Sequence, residues 1–226
     1  MLVPKPAPRR PVMVSDGGGL PFPLAVLDAP AVPLDPEDAA VTALFLQLRA
    51  QAARRRALAA SRGELGTPSE PPPATLEGWR LLARTDNESL FGLGLPPRLI
   101  TVAVRKEGRR QPWACVASSD SQPLRAARDS IRASSWRVDP THDNASEDTM
   151  LRVLLTEQSF SGGQRADGRV LVPDIFVDES ELVLTMFVTP RPGYQSGSRN
   201  PETPVRVALP HAVGSRELID GALLRP

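Results

Sequence analysis

Residues 168–190 constrain this chain more than any other stretch. Arg169-Val170-Leu171-Val172-Pro173-Asp174-Ile175-Phe176-Val177 and Glu181-Leu182-Val183-Leu184-Thr185-Met186-Phe187-Val188-Thr189 flank a short acidic break, Asp178-Glu179-Ser180. Branched and aromatic side chains suit a pleated, half-buried surface, and two such runs around a polar turn pair as antiparallel strands. Shorter runs of the same character fall at 79–83, 89–93, 99–105, 112–117, 134–138, 150–156 and 204–209. Short strands at this regular spacing predict a mainly β fold, an antiparallel β-sandwich or open barrel. Trp79, Trp113 and Trp136 each fall inside a predicted strand among aliphatic neighbours, which suits core packing.

A Pro-rich arm and one amphipathic α-helix precede the strands. Residues 1–34 are dense in proline and carry Gly17-Gly18-Gly19, so they are expected to stay extended or disordered. A helix is predicted over 35–63. Asp35 suits its N-cap, Pro36 its first position, Glu37 and Asp38 its positive end, and Gly63 its stop. Val41, Leu44, Phe45, Leu48, Ala52 and Ala59 follow one stripe, and Arg49, Arg54, Arg55, Arg56 and Arg62 make the second half basic. Leu44, Phe45, Leu48, Arg54, Arg55 and Arg56 are the candidate partner-binding residues. Residues 64–74 read as a stiff Pro-rich linker, and 75–226 as the β-sandwich domain.

Composition removes several functions. The chain has 226 residues, with 27 basic and 26 acidic residues and a net charge of +1. Such a balance makes no field for nucleic acid, and no nucleic-acid partner is expected. Lys5 and Lys106 are the only lysines, and the Arg-heavy, Ala-rich usage suggests a high-GC bacterial genome. One cysteine, Cys115, allows no internal disulfide and no cysteine-based zinc site. It falls in a predicted strand and reads as a small buried hydrophobe. Prolines interrupt the early apolar runs, and none approaches the roughly 20 residues that span a bilayer. The expectation is a cytoplasmic protein without a membrane span, with an extracellular or virion assembly left open.

Catalytic chemistry finds little support. His142 lies in an acidic loop, 139–148, that lacks the spacing of a calcium loop. Asn144-Ala145-Ser146 matches a glycosylation acceptor without a secretory route. Ser159 and Ser161 are the loop serines that could join His211 or His142 in a hydrolase, but no Gly-X-Ser-X-Gly elbow surrounds them. Gly92-Leu93-Gly94 is followed by prolines and is no dinucleotide fingerprint. No cofactor or metal is expected.

The C-terminus carries a resemblance. Asn200-Pro201-Glu202-Thr203-Pro204-Val205-Arg206-Val207-Ala208-Leu209-Pro210, followed by Gly214-Ser215-Arg216-Glu217-Leu218-Ile219-Asp220-Gly221, resembles the closing pattern of an uncharacterised actinobacterial protein family, many members of which are envelope-associated. The resemblance extends back through Asp174, Glu157 and Trp136 to Trp79. Relatives tend to carry cysteines near the positions of Ser121, Phe160 and Gly197, where this chain has none. That departure fits a reducing compartment. The resemblance implies a fold boundary near residue 75 and a bacterial origin, and no activity. Arg216 and Asp220 are expected to pair across the last turn.

The leading functional expectation is a non-enzymatic interaction or structural module. Residues 1–63 would mediate association with a protein partner or a second copy. A Ser/His hydrolase and a bacterial cell-surface binding domain are the alternatives.

Overall fold

The structure is a computed structural model that describes residues 1–61, 75–106, 108, 111–120, 123–142, 148–159, 161–193 and 200–224. The expected helix stop at Gly63, the linker 64–74 and the centre of the acidic loop, 143–147, lie outside the described residues. The fold is mainly β with one α-helix, as the strand spacing predicts. The strands are β1 (Lys5–Pro6), β2 (Met13–Ser15), β3 (Phe22–Pro23), β4 (Trp79–Arg84), β5 (Glu88–Leu93), β6 (Ile100–Arg105), β7 (Ala114–Asp120), β8 (Arg125–Arg128), β9 (Ile131–Val138), β10 (Met150–Thr156), β11 (Asp174–Val177), β12 (Glu181–Phe187), β13 (Thr203–Ala208) and β14 (Glu217–Asp220). The helix α1 spans Ala39–Ser61, with a single 3-10 turn at Leu24–Leu27 before it.

Contacts divide the chain into two compact units, and not at residue 75. Residues 1–15 and 123–226 form one unit, and residues 16–122 form the other. The second unit is thus inserted into the first. Val14 and Ser15 of β2 pair antiparallel with Ala126 and Arg125 of β8, so the chain leaves the enclosing unit beside the point where it returns. Connectivity of this kind tolerates insertion because the two break points are already adjacent.

In the enclosing unit a curled antiparallel run follows the order β11-β12-β9-β10-β13. Its interior holds Leu151, Val153 and Leu155 of β10, Leu184 and Met186 of β12, and Val207 of β13, all buried. The pattern in β10 is strict alternation, one face inward and one outward. The expected strand at 169–177 begins only at Asp174. Pro173 cannot donate to the ladder, and upstream of it the pairing continues through a Val170–Val188 bridge and the Leu171 amide on the Phe187 carbonyl. β14 adds in parallel beside the first half of β12.

Residues 1–15 are not a free arm. Leu2 donates to the Arg206 carbonyl and accepts from Ala208 on β13, at 3.0 and 2.8 Å. Lys5 and Ala7 donate to the Pro173 and Ile175 carbonyls beside β11, at 2.9 and 2.8 Å. β11 and β13 are the two ends of the curled run, so this segment bridges its seam, and Leu2 packs on the interior. The segment lies parallel to both neighbours. Proline density argued for disorder because proline lacks an N–H. The donors used against β11 are those of residues 5 and 7, and Pro4, Pro6 and Pro8 alternate with them. A strand that bonds along one edge tolerates proline at every second position.

The inserted unit is built on an antiparallel sheet of order β4-β5-β6-β7. β5 is buried through its first five residues, which requires cover on both faces. On one face α1 lays Val41 and Leu44 against Phe91, Val102 and Val104. On the other, Gly18 and Gly19 press on the sheet. A Cβ at Gly19 would stand 2.8 Å from Leu90 Cδ1 and 3.0 Å from Ala103 Cβ, so the close approach requires glycine. Asp16, buried beside these glycines, accepts from the Thr101 hydroxyl and from the Gly18 amide.

Candidate functional site

The six residues singled out on α1 do not share one environment. Leu44 is fully buried against the four-stranded sheet and is unavailable to a partner. Leu48 is half-buried on the same core, and Phe45 is half-buried with the Arg49 guanidinium 5.9 Å from its ring centre. Arg54, Arg55 and Arg56 are exposed, as is every residue from Ala53 to Leu58. Burial therefore stops after the first turns: the apolar stripe is used only from Ala40 to Leu48. Alanine supplies helix propensity in the second half but little apolar area, and the described side chains from Ala53 to Leu58 are not packed on the sheet.

Capping sets where α1 begins. The predicted cap, Asp35, instead accepts the Glu37 amide at 3.0 Å in a preceding turn. Asp38 accepts the Ala40 amide at 2.8 Å and is the working cap. Arg84 on β4 reaches Asp38 at 2.5 Å and, with the backbone donors, holds its carboxyl below the ordinary aspartate range against the opposing effect of burial. No aspartate or glutamate occurs between Ala39 and Ser61, while Arg49, Arg54, Arg55 and Arg56 do. The helix thus carries positive charge and no carboxylate of its own toward its negative dipole end.

Of the serines and histidines singled out for a hydrolase, Ser161 is engaged by Asn200 and not by a histidine. The Ser161 side chain is buried and donates to Asn200 Oδ1 at 2.8 Å, and the Ser161 amide donates to the same oxygen at 3.0 Å. Asn200 Nδ2 in turn donates to the Glu157 and Ser159 carbonyls at 2.7 and 2.6 Å. Ser161 is one member of a loop staple. The His142 ring contacts the Asp139 carboxylate at 3.2 Å and the Thr141 hydroxyl at 3.0 Å. His211 is exposed beyond the end of β13. Burial pushes the Cys115 thiol above its usual range, which leaves little thiolate to react. Among the described residues, no group of three His, Cys, Asp or Glu side chains is placed to hold a metal.

Two charged pairs that sequence reading missed anchor the enclosing unit. Glu157, at 4% exposure, takes a two-pronged bond from Arg169 at 2.7 and 2.5 Å and holds that guanidinium above its ordinary value. Arg128 joins Asp174 at 2.5 Å and lies 4.3 Å from the Phe187 ring centre. Only spatial proximity shows either pair. The expected Arg216–Asp220 pairing is replaced by two separate roles. Arg216 donates to the Asp178, Ala212 and Val213 carbonyls, and Asp220 accepts the Trp136 and Ala222 amides.

The units carry open hollows among their described residues. A groove of 410 Å³ in the inserted unit is walled by Pro30, Val32 and Leu34 on one side and Leu81 and Phe91 on another. Arg80 closes its end by donating to the Val26, Leu27 and Ala29 carbonyls. Hollows of 340 and 280 Å³ in the enclosing unit flank Arg9 and Pro11. Among the described residues, no helix is long and apolar enough to cross a membrane. No protein-family model matches the chain, and neither a curated protein nor a solved structure does.

Proposed function

We propose that this protein is a non-enzymatic β-rich interaction module and that the basic second half of α1 is its docking element. The single observation that carries this reading is the exposed run from Ala53 to Leu58, which projects Arg54, Arg55 and Arg56 from a helix without a carboxylate. Two such helices repel, so the partner at this surface is an acidic protein face rather than the helix of a second copy. The partner-binding set contracts to Arg54, Arg55 and Arg56, because Leu44 is spent on the core.

A bacterial origin belongs to the same proposal, supported by the Arg-heavy composition and the resemblance of residues 200–221 to an actinobacterial pattern, and so does a cytoplasmic site of action, supported by the departure from that pattern's cysteines at Ser121, Phe160 and Gly197. The residues of that pattern have structural employment in this chain. Asn200 staples the loop after β10, the Thr203 hydroxyl accepts the Ala166 amide, and Gly221 stands against Val183 and Thr185 on β12.

Fluorescence anisotropy with a labelled poly-glutamate peptide tests the docking element on the full chain. The reading predicts binding that weakens as salt rises and is lost in R54E/R55E/R56E, whose circular dichroism stays that of the parent. Absence of binding at low salt, or undiminished binding by the charge-reversed variant, overturns it.

A further inference from the structure

We propose that the N-terminal segment is an exchangeable stave, and that residues 1–7 of one chain can fill the seam between β11 and β13 of a second copy. The exchange names a second copy as the partner of residues 1–7, and it goes beyond, and is independent of, the docking proposed for the basic helix.

The seam is selective. β11 and β13 run in the same direction, since an odd number of antiparallel steps is not what separates them: β12, β9 and β10 lie between. A filler must therefore lie parallel to both, present donors at alternate residues to β11 and place an apolar side chain inside. Leu2, Lys5 and Ala7 do this, with Pro4 and Pro6 at positions whose missing N–H is not needed by β11. An identical arm from another copy satisfies the same requirements by construction.

The seat is lightly held. Four backbone hydrogen bonds join residues 2–7 to the seam, two at Leu2 and one each at Lys5 and Ala7. The Lys5–Asp174 ion pair is long, 3.9 Å, with the Lys5 side chain 56% exposed. Residues 8–12, which follow, run between the 340 and 280 Å³ hollows and pair with no strand. The Arg9–Glu181 ion pair is the link to the barrel here, with the Arg9 side chain 65% exposed. Lifting residues 1–7 thus exposes little packed surface other than Leu2. Pro4, Pro6, Pro8 and Pro11 keep the lifted segment extended, which lowers the entropic cost of seating it again.

Exchange replaces each bond by an identical one, so its free energy is set by association and by the hinge. Residues 8–12 form that hinge while β2 stays paired to β8 at home. Five extended residues reach about 17 Å. The two barrels must then stand side by side, and reciprocal exchange closes as a two-fold dimer without leaving a free arm.

Mixed single-cysteine variants test this directly, each carrying Cys115→Ala. K5C in one population is mixed with D174C in the other at high protein concentration and oxidised. A K5C–D174C disulfide between two chains requires an arm seated in a foreign seam. Its expected yield exceeds that of a K5C–E179C control, which reports collision at the exposed β11–β12 turn, on the order of a hundredfold, given millimolar effective concentrations for seated groups. Equal yields overturn the exchange. A K5C/D174C double variant that closes within one chain at high dilution confirms the seat, so that a negative mixing result bears on exchange alone. Repeating the mix in the R54E/R55E/R56E background separates the two readings. Undiminished cross-linking there is predicted, and its loss would make the helix, not the arm, the source of association.

Discussion

Asp38 joins the start of α1 to β4 through one carboxylate, accepting from the Ala40 amide and from Arg84. Because its folded pKa is lowered, chiefly by Arg84, the ionised form stabilises the fold. That contribution is complete above the unfolded aspartate value and disappears as pH falls through the lowered folded value. Stability of the inserted unit to urea should therefore fall across the acid range, and D38N, which keeps a capping side chain and loses the Arg84 ion pair, should lack that part of the slope while losing up to about 1 kcal/mol near neutrality. Further along the same helix the balance reverses. Leu44→Ala should cost about 2–5 kcal/mol, because it opens a cavity against Phe91 and Val102. R54E/R55E/R56E should change stability by no more than about 0.5 kcal/mol per site. Denaturant midpoints on the full chain read both. Leu44 and Arg54 were legible together as a stripe and a basic patch. Which of them the fold consumes depends on where the sheet ends, and no periodicity within the helix reports that.

At the scale of elements, proline spacing carried information that proline density hid. Pro-Lys-Pro-Ala-Pro from Pro4 to Pro8 reads as a disordered tract when counted, and as a one-edged strand when its donors are placed in register. Moving a proline into the bonded register separates the two. Ala7→Pro removes the donor to Ile175 and should destabilise the enclosing unit by about 1–3 kcal/mol. Pro6→Ala should change it by less than about 1 kcal/mol. Equal effects in thermal unfolding would mean that register is irrelevant there. The long strands β10, β12 and β13 were legible because alternation or continuous apolar runs mark them. β2, β8 and β14 were not, since three or four residues such as Met13-Val14-Ser15 become a strand only through a distant neighbour.

For the whole molecule, mainly β character was readable and the division into units was not. Composition shifts near residue 75, whereas contacts shift at 15 and 122, because a segment joins the unit that buries it. Phe22 and Leu44 belong to the interior of the unit that contains residues 75–122, and Val14 to that of the other. Replacing residues 16–122 with a short Gly-Asn turn should leave an enclosing unit that unfolds in one cooperative transition, since β2 and β8 then form an ordinary hairpin. A gradual, non-cooperative melt would show that the two units depend on each other. All of this turns on the first seven residues being part of a barrel rather than a tail. Amide hydrogen exchange at Lys5 and Ala7 reads that directly: bonds to Pro173 and Ile175 predict protection well above that of an unstructured peptide. Exchange at both positions at the rate of an unstructured peptide would contradict it.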